Sequence, residues 1–362
     1  MMINVVLAGG GTAGHTSPMI ATAKAIQELS PDASLVCIGT ARGLETRVVP
    51  AAGLDLELIR PVPLPRKPGL EMIKTPFKLA ASTWQARRVL KKARADVLIG
   101  FGGYVSIPAY LAAWFSRVPV VVHEANKLAG IANKVGARCA RFVGITFAET
   151  QIRGATMVGM PMARSIVQPV VSQGEARDRF GLDRDRPTLL VSGGSQGALA
   201  VNQAVLDARD ELLAAGIQIL HVLGPKNFSE DDVVVSHPEG ARYVPLEFVD
   251  DMAVAYTAAD LMLGRAGAGT VMETAVSGLP VIFVPLPWGN GEQGKNAAEL
   301  VASGGGILIP EAELSAEKLT RTVRGLVEEP GKLAAMSTIC REMYPTDAAE
   351  SMARVALDLG RS

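Results

Sequence analysis

The sequence predicts an α/β protein with two parallel-sheet domains, and three observations carry that prediction. From residue 1 to about 160, short β-branched runs alternate with longer helical stretches, the pattern of a parallel sheet covered by helices on both faces. A strand, a glycine turn and a helix start open the chain around Gly9 to His15, and the same parts return between Thr188 and Ala198. At 362 residues the chain is also long enough for two ordinary domains, each with its own core.

Composition narrows the functional classes. Lys and Arg total 36, as do Asp and Glu, and this balance argues against nucleic acid as a main partner. Three cysteines without metal-ligand spacing and four scattered histidines fit a reducing compartment, with Cys37 as a small core residue. The first apolar run breaks at Gly9 with no basic segment before it, so no signal peptide is expected. The stretch near Pro108 to Val122 is broken by Arg117 and Pro119, so no membrane span is expected either.

The first strand is Ile3 to Ala8, followed by GGGTAGH (9–15). Thr16-Ser17-Pro18 combines capping residues with a proline suited to a first turn, which predicts the helix start there. Three readings of the turn stay open at this point: a plain structural turn, a dinucleotide site and a site for the phosphates of a sugar nucleotide or glycolipid. Gly9, Gly11 and Gly14 match GxGxxG, but Ser34 to Gly39 runs into Thr40-Ala41-Arg42 rather than an acid. The dinucleotide reading therefore survives only as an NADP site with Arg42 on the 2′-phosphate.

A helix from about Leu44 to Ala52 and a strand at Leu56 to Ile59 follow. The segment Arg60 to Arg94 then places Ile73, Phe77, Ala80 and Trp84 at helical spacing. Among them lie Arg66, Lys67, Lys74, Lys78, Arg87, Arg88, Lys91 and Lys92, against the acid Glu71. The stripe reads either as core or as an interfacial patch for an anionic membrane, and Pro76 is expected to interrupt the helix. Asp96 to Ile99 is a strand that delivers a second glycine turn, Gly100 to Tyr104, to the same rim as the first. The next strand, Val118 to Val122, ends in His123-Glu124-Ala125-Asn126, either a buried polar trio or cleft residues. Residues 164 to 186 are polar and read as an irregular linker, with Asp183-Arg184-Asp185 as a solvated turn rather than a metal site.

In the second half, Thr188 to Val191 leads into Ser192 to Ala198, and Leu261 to Leu263 feeds Gly264 to Thr270. Small residues at that helix start let its N–H groups approach a diphosphate, and Glu273, about one turn further in, suits the two hydroxyls of a ribose. The last site stretch, Pro285 to Gln293, ends in a carboxylate and an amide fit for sugar hydroxyls.

Together these motifs resemble the MurG family: GGTAGH (10–15), GGY (102–104), HEAN (123–126), GGSQGA (193–198), EFVDDM (247–252), GAGTVMETAVSGLP (267–280) and NGEQGKNA (290–297). The resemblance implies two Rossmann-like domains facing a cleft, the GT-B glycosyltransferase architecture. Residues 1–163 would form an acceptor and membrane-facing domain completed by a C-terminal helix within 342–362, and residues 164–341 a UDP-GlcNAc donor domain. The implied reaction is inverting transfer of GlcNAc from UDP-GlcNAc to the MurNAc 4-hydroxyl of undecaprenyl-pyrophosphoryl-MurNAc-pentapeptide in peptidoglycan synthesis.

It further implies action as a peripheral protein on the cytoplasmic face of the cell membrane, no cofactor or metal, and partners among other cell-wall and division proteins. Ser195, Ala268, Gly269, Thr270, Val271 and Met272 would surround the UDP phosphates and ribose. Glu273 would take the ribose hydroxyls, the Val249 backbone the uracil, and Glu292 with Gln293 the GlcNAc. Thr12, Ala13, Gly14 and Asn126 would line the cleft, with Gly10, Gly11, Gly102, Gly103 and Tyr104 at the acceptor pyrophosphate. His15 is the first candidate for the base and Glu124 the second. The chain departs from the family pattern at Ala13, at Ala125 and at the hinge, where Met160-Pro161-Met162-Ala163 puts alanine at the phosphate-contacting arginine; Arg164 is the neighbouring arginine. An NADP oxidoreductase and a non-catalytic UDP-sugar sensor are the competing classes.

Overall fold

The structure is a computed structural model that describes residues 2–63, 70–194, 197–288 and 290–361, with the side chains of residues 70–73 outside that description. Its contacts divide into two units, Met1–Ala163 with Pro345–Ser362, and Arg164–Tyr344.

The first unit runs β1 (Asn4–Gly9), α1 (Ala13–Leu29), β2 (Ser34–Gly39), α2 (Glu45–Ala51), β3 (Asp55–Leu58), α3 (Leu70–Ala93), β4 (Val97–Gly102), α4 (Ser106–Ser116), β5 (Val120–Glu124), α5 (Ile131–Gly136), β6 (Phe142–Ile145) and β7 (Ala155–Met157). Its sheet has seven parallel strands in the order β3-β2-β1-β4-β5-β6-β7. Alternation along β1 sends Val5 and Leu7 to the face covered by α1, and Val6 and Ala8 to the face covered by α3 and α4. The order reverses between β1 and β4, and their paired ends, Gly9 and Gly102, bring both glycine turns to that switch point.

Two helix expectations need correction. The first helix begins at Ala13 with Thr12 as its N-cap, so Pro18 lies inside it rather than in its first turn. The reason is Gly11, whose φ of 94° ends the turn early; the Thr16 hydroxyl instead bonds back to the Thr12 carbonyl at 3.1 Å. Pro76 does not interrupt α3, which continues from Leu70 to Ala93. The proline is exposed, while Ser82, Ala86, Val89 and Leu90 anchor the buried side of the helix.

The second unit runs α6 (Arg164–Val167), α7 (Gln173–Arg179), β8 (Thr188–Ser192), α8 (Leu199–Ala214), β9 (Gln218–Val222), β10 (Val235–Ser236), β11 (Arg242–Leu246), α9 (Met252–Ala258), β12 (Leu261–Gly264), α10 (Ala268–Ser277), β13 (Val281–Phe283), α11 (Glu292–Ala302), β14 (Gly306–Leu308), α12 (Ala316–Val327) and α13 (Lys332–Met343). Its seven-stranded sheet, β10-β11-β9-β8-β12-β13-β14, is parallel except for β10. Here the switch point lies between β8 and β12, where β8 ends at Ser192 and α10 starts after β12.

Residues 164 to 186 are not an irregular linker. A capping box between Ser172 and Glu175 starts α7, and Ala176 packs against Val254 and Ala258 of α9. Arg177 is buried with it, its Nη2 2.6 Å from Asp260 Oδ2 and its Nε bonded to the Ala258 carbonyl. The chain returns to the first unit at Pro345, three residues later than expected from 342, because the end of α13 is tied to the second unit through buried Cys340. Helix α14 (Ala348–Arg361) then packs Met352, Ala353, Ala356 and Leu357 into the core beside α1.

Candidate active site

In the first unit the two glycine turns interlock. A Cβ on Gly103 would overlap the Gly10 carbonyl, and one on Gly102 would come within 3.0 Å of the His15 ring, so both positions need glycine on steric grounds as well as for φ of 86° and 98°. His15 is half-buried, and its Nδ1 lies 3.2 Å from the Gly10 carbonyl. A carbonyl only accepts, so Nδ1 bonds to it when it carries the proton, which leaves the lone pair on Nε2; the Thr12 hydroxyl lies 3.4 Å from the same nitrogen. Burial lowers the His15 pKa, with the Gly10 carbonyl and the Glu45 charge acting the other way.

The first turn does not offer all its donors outward. The Gly11 N–H donates to Glu45 Oε2 at 2.8 Å, and the Gly10 carbonyl is taken by His15. This corrects the assignment of Gly11 to an acceptor pyrophosphate, because its N–H is already taken. A carboxylate from α2 fills the turn, which disfavours the NADP reading for the same reason. In the first turn of α1 the N–H groups of Ala13 and Gly14 have no intrahelical partner, whereas His15 and Thr16 return theirs to the Thr12 carbonyl. Tyr104 stands exposed at the same rim.

Glu124 is organised differently from a free base. Its carboxylate accepts the N–H groups of Asn126 and Gly130, each at 2.9 Å, and the Asn133 amide at 3.0 Å. Asn133 is held in turn by the Tyr110 hydroxyl at 2.7 Å. The network fixes the loop that carries Asn126, so Glu124 is placed as an organiser and His15 as the group with an open lone pair. His123 is buried below the rim, its Nε2 donating to the Gly159 carbonyl at 2.9 Å, and burial lowers its pKa to about 4.

In the second unit, α10 starts at Ala268 after the N-cap Gly267, leaving the N–H groups of Ala268, Gly269 and Thr270 without intrahelical partners. Val271 returns its N–H to the Gly267 carbonyl, and the Val271 and Met272 side chains are fully buried, so the open N–H groups at this helix start are those three. Glu273 Oε2 accepts the Tyr256 hydroxyl at 2.7 Å, and Oε1 lies toward Gly269. Burial pushes the Glu273 carboxyl up, the tyrosine partly offsetting it. Gln293 Oε1 accepts from the N–H groups of Ala266 and Leu286, at 3.2 and 3.0 Å, which ties two loops together and leaves its NH₂ as the group for a ligand. Glu292 sits in the first turn of α11, its carboxyl pushed up by burial. Val249 is buried just before the N-cap Asp251 of α9, which fits a backbone contact. Arg164 opens α6, its Nε 3.3 Å from Gln168 Oε1. Ser195 lies outside the described residues.

The stripe on α3 is not core. Phe77 and Trp84 are 76% and 54% exposed, and Ala80 also faces outward. The Arg88 guanidinium stacks 3.4 Å above the Trp84 ring. Helix α4 adds Trp114 and Phe115, 60% and 59% exposed, which sequence reasoning missed although both precede Arg117. Trp84, Arg87, Arg88, Lys91, Phe115 and Arg117 line a groove of about 780 Å³. Arg66, Lys67 and the Ile73 side chain lie outside the described residues. Among the described residues no helix is long and apolar enough to cross a membrane.

Comparison with known proteins decides the family. Residues 5–145 match the glycosyltransferase family 28 N-terminal domain and residues 188–352 its C-terminal domain. A protein of Cutibacterium acnes named UDP-N-acetylglucosamine--N-acetylmuramyl-(pentapeptide) pyrophosphoryl-undecaprenol N-acetylglucosamine transferase is 53% identical, over 97% of this chain and 96% of its own. A protein of the same name from a Nocardioides species is 49% identical over 99% and 98%. The crystal structure of Acinetobacter baumannii MurG superposes with a TM-score of 0.77 at 28% identity, covering 98% of this chain and 99% of that one. The chain belongs to the MurG family. As a MurG-family member it is a glycosyltransferase built from two Rossmann-like domains, and the glycine turns at its two switch points are the parts that the family's sequence motifs mark.

Proposed function

We propose that this chain transfers GlcNAc from UDP-GlcNAc to the MurNAc 4-hydroxyl of undecaprenyl-pyrophosphoryl-MurNAc-pentapeptide, at the cytoplasmic face of the membrane that holds the acceptor. The observation that carries the reading is the open start of α10, three free N–H groups one turn from the half-buried carboxylate of Glu273, in a chain 53% identical to a transferase of that name. A diphosphate fits those N–H groups and the positive end of the helix dipole, and Glu273 Oε1 fits a ribose hydroxyl. Gln293 and Glu292 take the GlcNAc hydroxyls, with Ser195, Val249 and Arg164 completing the donor contacts. Ala13 and Gly14, with Thr12 and Asn126 beside them, meet the acceptor's pyrophosphate end.

In the reaction the acceptor 4-oxygen forms a bond to the anomeric carbon as the bond from that carbon to the UDP oxygen breaks, with inversion. The electron pair leaves on the β-phosphate oxygen, where the α10 start stabilises it. The hydroxyl proton passes to Nε2 of His15. The exposed aromatic residues and cations of α3 and α4 meet the anionic lipid surface, the aromatic rings entering the interface and the cations pairing with headgroups.

The test is transfer of labelled GlcNAc from UDP-GlcNAc to a short-chain lipid pyrophosphate carrying MurNAc-pentapeptide, with EDTA present. Product is expected, and His15→Ala should lower kcat roughly a hundredfold or more with donor affinity unchanged. Saturable UDP-GlcNAc binding without product would overturn the acceptor assignment. Near-native turnover by His15→Ala would overturn the base.

A further inference from the structure

Glu45 is a carboxylate of the first unit with three hydrogen bonds, and no family motif described above includes it. Its side chain is fully buried behind the first glycine turn. Oε2 accepts the Gly11 N–H at 2.8 Å, and Oε1 accepts the Thr40 N–H at 2.7 Å and the Thr40 hydroxyl at 2.9 Å. A Cβ on Gly10, Gly39 or Gly43 would run into this side chain, so three glycines clear the space it fills. Burial pushes its carboxyl up, but the bonds from Gly11 and Thr40 outweigh burial and hold it ionised below the usual range.

The decisive detail is which peptide group it holds. The Gly11 N–H and the Gly10 carbonyl belong to one amide. Its N–H end donates to Glu45, and its carbonyl end accepts from His15 Nδ1. A carboxylate on the N–H end of an amide draws negative charge to the carbonyl oxygen, and chained hydrogen bonds reinforce one another in a low-dielectric setting. We propose that Glu45 is a positioning residue for His15, acting through the Gly10–Gly11 amide to fix the imidazole with its proton on Nδ1 and to raise the basicity of Nε2. This rests on His15 as the base, and it gives the histidine the service that a directly bonded carboxylate gives elsewhere, with a backbone amide in between.

Other charges around His15 do not replace Glu45. Strands β1 and β4 carry no ionisable side chain. Helix α2 brings Glu45 and Arg47, the turn after β4 brings Tyr104, and α5 brings Lys134 and the neutral Asn133 that holds Glu124. On α14, Glu350 pairs with Arg354 and Asp358 with Arg361. Among the described residues Glu45 supplies the charge that raises the His15 pKa against burial.

The experiment is nitrogen NMR of the full chain with labelled histidine, its four ring systems assigned with a His15→Asn variant. In the native protein neutral His15 should carry its proton on Nδ1; a proton on Nε2 overturns the proposal without any variant. Glu45→Gln should make His15 titrate at lower pH and cut kcat about tenfold with little change in the UDP-GlcNAc KM. Glu45→Asp, which keeps the charge, should recover the greater part of the titration shift. An unchanged His15 titration in Glu45→Gln, or equal titrations in the Gln and Asp variants, overturns the coupling. Near-native turnover by His15→Ala would remove the base assignment alone, because the NMR titration reads the coupling without reference to activity.

Discussion

The turn after β1 and the start of α10 use the same parts, a buried strand, glycines and a helix N-terminus, yet they end in opposite states. The first is filled from within: Glu45 takes the Gly11 N–H, and His15 takes the Gly10 carbonyl. The second is open, with Ala268, Gly269 and Thr270 holding free N–H groups and Glu273 kept to the side by Tyr256. A glycine-rich turn therefore does not by itself mean an anion site. What decides is whether another element of the fold delivers a carboxylate to the N–H groups first.

The contrast can be broken most directly at its open end. Glu273→Ala should weaken UDP-GlcNAc binding about thirtyfold, the loss of one charge-assisted hydrogen bond at roughly 2 kcal/mol. Calorimetric titration of a folded variant checks it, and an unchanged Kd would remove Glu273 from the donor site. Because burial pushes this carboxyl up, donor affinity should begin to fall at a pH above the ordinary carboxylate range.

A second contrast lies on the surface of the first unit. Replacing Phe77 and Trp84 together with Ser should lower binding to anionic vesicles about tenfold, because each ring loses apolar area it would bury in the interface. UDP-GlcNAc binding should not change. Cosedimentation with vesicles of phosphatidylglycerol measures the first, and an unaltered bound fraction would assign the patch elsewhere.

A last prediction concerns one feature the units share. His123 and His221 are both buried beside a sheet, and burial lowers each pKa to about 4. In an unfolded chain histidine titrates near 6.5. Between those values the unfolded state binds protons that the folded state does not, so stability is fully present above about pH 6.5 and is lost as pH falls toward 4. Each should remove roughly 1–2 kcal/mol by pH 5. Urea midpoints across that range measure the slope, and His221→Gln should reduce it; a flat profile would mean that the rings find partners in their charged form.

Much of the fold was legible because buried parallel strands must be apolar throughout. Val5 to Ala8 and Thr188 to Val191 announce themselves for that reason, and a glycine turn after each marks the rim. The linker was misread because its helix is short and polar, and only the capping box of Ser172 and Glu175 signals it. The candidate donor site is readable from sequence where one short segment carries its parts, as the helix start and carboxylate of Ala268 to Glu273 do. It was not legible where partners come from afar: Tyr256 lies 17 residues from Glu273, and Glu45 lies 34 from Gly11.

By itself the sequence determined the two doubly wound sheets, the rims on which the chemistry sits and the family, since apolar runs, glycines and motif order are local properties. Only the tertiary structure decided which glycine turn stays open, which face of α3 meets solvent and which backbone carbonyl faces the His15 ring. Those outcomes depend on hydrogen-bond partners and packing supplied by distant segments, and a backbone donor has no sequence mark that says which acceptor will reach it.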